Sequence, residues 1–159
     1  LQKLLDEANP WGIHGYEKGT YLGELSDAVI DVITEQVPRK NSPMSVLLFY
    51  RLDGAYCQVG DDQTAFSGGR SPRYGVFIVG LAPDAGLLDA DRGWVRGLWE
   101  ALRPHAIGGG DGYINGITDF SDDGVRHSYG PAKYERLAKI KTQYDPGNLF
   151  HLNANIRPA

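Results

Sequence analysis

A seven-residue run near the middle of the chain constrains the fold more than any other feature. The run is Gly75-Val-Phe-Ile-Val-Gly-Leu81, rich in β-branched and aromatic residues. Successive side chains of a strand point to opposite faces, so this run would present apolar groups on both sides. A strand that is apolar on both faces is usually buried on both, as at the centre of a sheet. We therefore predict a central strand at residues 75–81.

Three further strands are expected, two before this run and one after it. Residues 45–51 are again rich in β-branched and aromatic side chains. The dipeptide Asp53-Gly54 follows them and is a strong signal for a hairpin turn, so residues 55–59 should return antiparallel. The other strand is expected at residues 113–118, after glycines at positions 108, 109, 110 and 112.

Three segments carry apolar residues at the three- and four-residue spacing of an amphipathic helix. Ser, Thr or Asp residues stand where N-caps are expected, and prolines stand where the helices should stop. The intervening residues 1–20 and 119–130 are expected to be loops. The expected helices are residues 25–37, capped by Thr20 or Ser26 and stopped by Pro38; residues 91–103, capped by Asp89 or Asp91 and stopped by Pro104; and a last helix from Pro131 to a type II turn at Asp145-Pro-Gly-Asn148.

The order of these elements indicates the fold class. It reads helix, hairpin, strand, helix, strand, helix, without the regular strand–helix alternation of a parallel α/β sheet. Runs of strands and helices that do not alternate are typical of α+β proteins. We therefore predict an α+β fold in which an antiparallel sheet has its helices packed on one face.

Composition narrows the class of partner. The chain has 159 residues and 42% hydrophobic content, enough to bury one core without metals or disulfides. Its formal net charge of -4 gives no broad basic field, so neither nucleic acid nor an anionic membrane is expected as a partner. No run of about 18 apolar residues is present, and the absence of a basic, apolar leader favours the cytoplasm. Because the chain starts at Leu1 without an initiator Met, we interpret it as part of a longer protein.

Tyr113 and Asn115 are the candidate chemical groups. Two residues apart on a strand, their side chains would point to the same face. A phenol beside a carboxamide can position a substrate hydroxyl, and it can act as a base where its surroundings stabilise the ionised form. The four histidines lack the spacing of metal ligands, so no metal site is expected, and Cys57 is expected to be a structural thiol.

The order and spacing of the C-terminal motifs resemble a known family. The motifs are Tyr113-Ile-Asn115, a helix carrying Leu137 and Lys141, and Asp145-Pro-Gly-Asn-Leu-Phe150. This arrangement is similar to the C-terminal segment of the berberine-bridge-enzyme-like family of FAD-linked oxidases. The likeness extends over most of residues 16–158, including Tyr16 to Leu22 and Trp94 to Leu102, and is strongest from residue 113 onward.

The resemblance implies a division of the chain and a partner. Residues 1–112 would be a portion of the substrate domain, and residues 113–159 would be the C-terminal berberine-bridge-like segment. That segment would pack on an N-terminal FAD-binding domain that this chain does not contain. The cofactor would be FAD, bound mainly by the absent domain. The isolated chain would therefore be inactive.

The resemblance also implies a reaction and roles for residues. The family oxidises an alcohol, an amine or a related carbon of a small molecule by hydride transfer to the flavin, and O2 often regenerates the cofactor. Tyr113 corresponds to the catalytic tyrosine that helps to remove a proton. Asn115 corresponds to the asparagine beside the flavin.

Two departures from the family pattern concern the substrate pocket. The residue after the asparagine is often Tyr or His in the family, whereas Gly116 here would leave space for the substrate. Many members carry Gln or Glu on the central strand, whereas this chain offers Val76, Phe77, Ile78 and Val79. We therefore expect Gly116, Val76 and Ile78 to contact the substrate, and Tyr113 to work without a carboxylate on that strand.

The departures leave a second interpretation open. The chain could be a stand-alone binding or assembly domain, derived from the family, that lacks catalysis. In either case an apolar surface intended for the FAD domain would favour self-association of the isolated chain. The expected members of that surface are Tyr134, Leu137, Ile140, Tyr144 and Phe150.

Overall fold

The structure is a computed structural model that describes residues 11–109, 112–118 and 121–159. Within these ranges, strands and helices follow one another without regular alternation. Short 3₁₀ turns lie between several of them. The strands and α-helices are β1 (His14–Leu22), α1 (Asp27–Gln36), β2 (Val46–Leu52), β3 (Arg73–Ala82), α2 (Ala85–Leu102), α3 (Asp122–Tyr129) and α4 (Pro131–Tyr144).

The strands form one antiparallel sheet in the order β1-β3-β2. In the register of β1 with β3, His14 lies opposite Ala82 and Leu22 lies opposite Tyr74. In the register of β2 with β3, Val46 lies opposite Val79. The prediction that residues 75–81 form the central strand is confirmed, and so is the α+β fold class with an antiparallel sheet.

Helices α1 and α2 cover one face of the sheet. Ile78 of β3 is 0% exposed there, packed in the same core as Val95 and Leu98 of α2 and Val29 of α1. Alternate residues of each strand point the other way, and Glu17, Phe77 and Val79 among them are only half-buried. We call that side the open face; it is formed by Glu17 and Gly19 of β1, Phe77 and Val79 of β3, and Val46 and Leu48 of β2.

Helix α2 begins six residues before the predicted start. Its cap is Asp84, whose side chain accepts a hydrogen bond of 2.9 Å from the Leu87 amide, so the prediction of a cap at Asp89 or Asp91 is wrong. Asp91 is instead 0% exposed and faces the loop before β2. Its carboxylate accepts hydrogen bonds from the backbone amides of Asn41 (2.6 Å) and Ser42 (3.2 Å).

The hydroxyl of Ser45 completes this arrangement by donating to the Asp91 carboxylate, and it accepts the Leu81 amide at 2.9 Å. Burial alone raises the pKa of Asp91. The hydrogen bonds from Ser45, Asn41 and Ser42 outweigh burial and hold that pKa below its ordinary value of 3.8. The carboxylate therefore fixes the loop before β2 to helix α2 and to the end of β3.

Strand β1 lies inside the segment that was expected to be loop. Residues 14–22 contain two glycines and the adjacent charged residues Glu17 and Lys18, which suggests a loop when the sequence is considered alone. Pairing along the whole length of β3 stabilises them as a strand. A Cβ placed on Gly19 would lie 3.3 Å from the Gly116 carbonyl oxygen. Glycine at position 19 is therefore explained by the close approach of residue 116 and not by a turn.

The predicted return strand at residues 55–59 is wrong. Residues 54–58 form a 3₁₀ turn instead, and β2 pairs with β3. Gly54 has a positive φ of 53°, so the Asp53-Gly54 turn signal is real, but the chain after it does not double back. The apolar strand β3 offers β2 a longer partner than residues 55–59 could.

Two helices pack together in the last third of the chain. The start of α4 at Pro131 is confirmed, whereas α3 lies within the segment expected to be loop, capped by Ser121 through a 3.0 Å bond from the Gly124 amide. Residues 119 and 120 lie outside the described residues. Tyr134 is only 5% exposed in a small core of its own, so it does not belong to the predicted apolar surface. That core contains Ile114, Val125, Tyr134 and Ala138.

The turn after α4 differs from the prediction. The Asn148 amide donates to the Asp145 carbonyl at 3.0 Å, but Asn148, and not Gly147, has the positive φ, so the turn is not type II. Ile140, Tyr144 and Phe150 are exposed around it, as expected for the apolar surface. In the described part of the chain, no helix is both long and apolar enough to cross a membrane.

We expect Asp91→Ala to destabilise the fold by roughly 3 kcal/mol, because the buried donors at Asn41, Ser42 and Ser45 lose their acceptor. Urea unfolding followed by circular dichroism measures this loss. Asp89→Ala is the matched control, since its side chain is 74% exposed in a surface pair with Arg92, and it should change stability by less than about 1 kcal/mol.

The contribution of Asp91 should also depend on pH. Because its pKa is lowered in the folded state, the stabilisation is fully present above 3.8 and is lost as the pH falls through the lower folded-state value. The stability difference between the native chain and Asp91→Asn should therefore shrink at acidic pH. A difference that is constant from neutral to strongly acidic pH would contradict this explanation.

Candidate functional site

Residues 112–118 lie directly against β1 on the open face. The Thr118 amide donates to the Glu17 carbonyl at 3.0 Å, and the Glu17 amide donates to Thr118 Oγ1 at 2.9 Å. A Cβ placed on Gly112 would lie 2.4 Å from the carbonyl carbon of Gly19. The two backbones are therefore so close that a side chain at residue 112 has no room.

This segment forms a 3₁₀ turn at Ile114–Gly116, so the predicted strand at residues 113–118 is wrong. The Gly116 amide donates to the Tyr113 carbonyl at 2.8 Å and closes the turn. Tyr113 and Asn115 nevertheless lie side by side. The Asn115 Nδ2 group donates to the Tyr113 hydroxyl at 2.8 Å, with the carboxamide exposed and the phenol half-buried.

The ring of Tyr113 belongs to an aromatic cluster that the sequence analysis did not identify. Phe66 stacks on it, with ring centroids 5.2 Å apart and planes at 22°. Tyr56 meets Phe66 edge to face at 5.7 Å. The Arg70 guanidinium lies over the Phe66 ring at 4.8 Å. These contacts restrict the Tyr113 ring to one orientation.

Helix α4 holds the loop that carries Phe66. The Lys133 Nζ atom donates to the Phe66 carbonyl at 2.6 Å and pairs with Asp61 at 3.3 Å, and the Lys133 side chain is only 9% exposed. Arg136 donates to the Asp62 carbonyl at 2.5 Å. The C-terminal helix thus positions the aromatic neighbours of Tyr113 from a distance in sequence.

Other phenols surround Tyr113. Tyr21 is 4% exposed, and no residue in the described ranges forms a hydrogen bond with its hydroxyl. Burial, with smaller effects from Tyr56 and Tyr113, raises the pKa of Tyr21 well above its usual value. Burial also raises the pKa of Tyr56 and of Tyr129. These three phenols therefore stay protonated at neutral pH and cannot serve as bases.

Gly116 is buried and does not open a space. A Cβ placed on it would lie 2.2 Å from Cε1 of Phe77, so the Phe77 ring occupies the room that the missing side chain leaves. The expectation that this glycine enlarges a pocket therefore does not match the geometry. The pair Phe77 and Gly116 acts as one packed unit on the open face.

Val76 and Ile78 point toward the helices. They are 1% and 0% exposed in the main core, so a molecule on the open face would not reach them. The residues of β3 that it would meet are Phe77 and Val79. Sequence periodicity alone could not tell which set faces the helices, because both sets are apolar.

Glu17 is a charged member of the open face that the sequence analysis missed. Its side chain is half-buried, and burial raises the pKa of its carboxyl. A Cβ on Gly116 would lie 3.3 Å from Glu17 Oε1, so the carboxylate borders Gly116 and Phe77. Only the side-chain alternation of a strand could have placed Glu17 on this face. Because residues 1–20 are expected to be loop, that alternation could not be used.

The chain matches known proteins in sequence. Residues 112–157 match the family model described as "Berberine and berberine like". An FAD-linked oxidoreductase of Dictyostelium discoideum is 23% identical over 159 residues, which are 99% of this chain and 34% of that protein. The (R)-6-hydroxynicotine oxidase of Paenarthrobacter nicotinovorans is 39% identical over 57 residues, 36% of this chain and 12% of that enzyme. The chain thus spans about a third, or less, of these curated relatives.

Solved structures share the fold. The grass pollen allergen Phl p 4, described as having glucose dehydrogenase activity, superposes with a TM-score of 0.81 at 14% identity and covers 99% of this chain and 35% of its own. Berberine bridge enzyme from Eschscholzia californica gives 0.76 at 19% identity, covering 99% of this chain and 36% of its own. The resemblance to the C-terminal part of berberine-bridge-enzyme-like FAD-linked oxidoreductases is therefore confirmed.

No metal centre accompanies these residues within the described ranges, where no three His, Cys, Asp or Glu side chains come together as possible ligands. Cys57 is a half-buried free thiol in the 3₁₀ turn after β2. The polar atoms of the candidate site are thus those of Tyr113, Asn115 and Glu17, beside the apolar side chains of β3.

We expect Gly116→Ala to destabilise the fold by about 1–3 kcal/mol, because its new methyl group must displace the Phe77 ring. The control is Gly97→Ala in α2, where nothing lies within 4 Å of an added Cβ and stability should rise by about 0.5–1 kcal/mol. Urea unfolding measures both. Adding Phe77→Leu should recover part of the loss, and equal effects of the two alanine variants would contradict the contact.

Proposed function

We propose that this chain supplies the substrate-facing part of an FAD-dependent oxidoreductase that oxidises a small organic substrate, such as an alcohol or an amine. In this proposal residues 1–112 are a portion of the substrate domain. Residues 113–159 are the terminal segment, which packs on an FAD-binding domain supplied by other polypeptide. The lengths of the relatives, of which this chain spans about a third, support such a division.

One observation carries the proposal. Tyr113 and Asn115 lie within the segment that matches the berberine-like family model, and their side chains are joined by a 2.8 Å hydrogen bond beside the open face. That face is apolar and incompletely covered: Leu48 is 39% and Tyr50 is 52% exposed on it. An apolar surface with a few convergent polar groups is the usual character of a site for a small organic molecule.

The residues present fit the flavin. An exposed carboxamide, such as that of Asn115, can donate to and accept from the polar edge of a flavin ring. The phenol of Tyr113 is held next to it by stacking on Phe66. Tyr113 and Asn115 would therefore hold the ring from the side of this chain. When bound, FAD supplies the two-electron acceptor that takes a hydride from the substrate carbon.

Residues of this chain would contact the substrate, accept its proton and hold the phenol in position. Phe77 and Val79 would contact the apolar body of the substrate and exclude water. The Tyr113 side chain, as the phenolate formed once its own proton has passed to solvent, would accept the proton of the substrate hydroxyl or amine. The Asn115 Nδ2 group, which already donates to that oxygen, would stabilise the phenolate by a charge-assisted hydrogen bond. Phe66 would keep the phenol in place, and Lys133 would keep Phe66 in place.

The test is a Tyr113→Phe variant of the flavin-loaded protein. We expect anaerobic reduction of the flavin by substrate to slow by roughly 10²-fold, because the ring remains but the proton acceptor is lost. Stopped-flow absorbance measures the rate, and the flavin content should be unchanged. Tyr74→Phe, at a half-buried residue on the helix-covered face of β3, is the control and should react at the native rate.

An unchanged rate in Tyr113→Phe would reject the role of the phenol. A protein that binds FAD but is reduced by neither alcohols nor amines would reject the oxidoreductase. That second result would favour the alternative, a non-catalytic binding or assembly domain, which the Phe77 ring packed over Gly116 would suit.

A further inference from the structure

The Glu17 side chain lies next to residues 112–118, the segment that carries Tyr113 and Asn115. Glu17 stands on β1 opposite Val79 of the central strand, and both residues belong to the open face. Its backbone is fixed on the other side by the two hydrogen bonds to Thr118. The carboxylate itself borders Gly116 and Phe77, within the segment that also carries Tyr113 and Asn115.

Among the residues that the structure describes, none is a partner of this carboxylate. In the described ranges, no hydrogen bond or ion pair joins it to another side chain or to the backbone. Lys18 points to the opposite side of the sheet, where its Nζ atom lies 4.6 Å from the centre of the Trp99 ring. Arg73, at the far end of β3, donates to the carbonyls of Ser71 and Gly68.

The surroundings of the carboxylate are apolar. Phe77 and Val79 flank it on β3, and Val46 and Leu48 continue the same face on β2. A half-buried carboxylate without a partner is unfavourable, since it has lost part of its water shell without gaining a hydrogen bond, and burial accordingly raises the pKa of Glu17. The structural contacts of Glu17 with Thr118 are made by its backbone, and within the described ranges no hydrogen bond or ion pair of its side chain holds the fold together.

A small molecule with an apolar body and a positive charge would complement both features. We propose that Glu17 is the recognition group for the substrate, and that the substrate is an apolar amine bound as its ammonium cation. This inference rests on the proposed oxidoreductase function and narrows its substrate class. The apolar part of the amine would lie against Phe77 and Val79, and the ammonium group would donate to the Glu17 carboxylate.

The charge on Glu17 separates amines from alcohols. An ammonium group forms a charge-assisted hydrogen bond with a carboxylate, about twice as strong as a bond between neutral groups. An alcohol of the same shape would leave the negative charge uncompensated. The preference should therefore depend on the carboxylate and should be absent when a neutral amide replaces it.

The experiment compares benzylamine with benzyl alcohol, which share an apolar ring, on the flavin-loaded protein. Equilibrium binding is followed by the change in flavin absorbance under anaerobic conditions or by dialysis. We expect benzylamine to bind the native protein more tightly, and Glu17→Gln to weaken benzylamine by about 10-fold or more while changing benzyl alcohol by less than about 2-fold. Glu17→Asp should retain the preference for the amine.

Glu24→Gln is the matched control, because it removes the same charge from an exposed residue near the end of β1 and should leave both affinities unchanged.

Glu17→Gln should also raise the melting temperature, since it removes a partly buried, unpaired charge. A lower melting temperature would assign the carboxylate a structural role and would overturn the inference. So would unchanged benzylamine affinity in Glu17→Gln, an equal loss for both compounds, or no binding of either to the native protein.

Flavin reduction in the same samples tests the proposed function separately. Reduction of the flavin without any Glu17-dependent preference for the amine rejects only the inference. Binding that depends on Glu17 together with a flavin that neither class of compound reduces rejects the oxidoreductase instead.

Discussion

Backbone contact between β1 and residues 112–118 determines where the candidate site residues lie. A Cβ on Gly112 would lie 2.4 Å from the backbone of Gly19, and backbone atoms cannot rotate away as a side chain can. Two hydrogen bonds between Glu17 and Thr118 continue this contact to the end of the segment. Because the segment is seated this closely, Tyr113 and Asn115 reach the edge of the open face and Gly116 meets Phe77. Glycine at positions 112 and 116 is thus a requirement of packing.

The sheet gives the two sides of the molecule different roles. On one side, α1 and α2 bury alternate residues of β3 almost completely, and the Asp91 carboxylate fixes the loop before β2 to the same helix. On the other side, Glu17, Phe77 and Val79 are only half-buried. Stability is concentrated on the helix side, where apolar burial is greatest. The open face is therefore available to a ligand without any loss of core packing.

The sequence was sufficient for elements that are set by local pattern. The central strand, the helix stopped near Pro38 and the helix that begins at Pro131 follow from periodicity and from residues that start or stop helices. Strand β1 could not be recognised, because its stability comes from pairing with residues about sixty positions away. The Asp53-Gly54 signal was misleading because β3 is the better partner for β2.

In the candidate site too, features set by local sequence could be predicted, and features set by long-range contacts could not. The adjacency of Tyr113 and Asn115 was predicted from a strand but arises from a 3₁₀ turn, so the proximity was right and its cause was wrong. Val76 and Ile78 were assigned to the pocket because the pattern gives two apolar faces without saying which one the helices cover. Phe66 and Lys133 are distant from Tyr113 in sequence, and Glu17 is 101 residues from Thr118, so only the folded chain brings them together.

The central claim is that the side of the sheet bearing Phe77, Val79 and Glu17 is the ligand side. A crystal structure of the flavin-loaded protein with a bound, unreactive substrate analogue tests it most directly. We expect the analogue to lie between the flavin ring and these three side chains, with Tyr113 and Asn115 at its edge. An analogue bound elsewhere, or an open face fully covered by protein, would contradict the account.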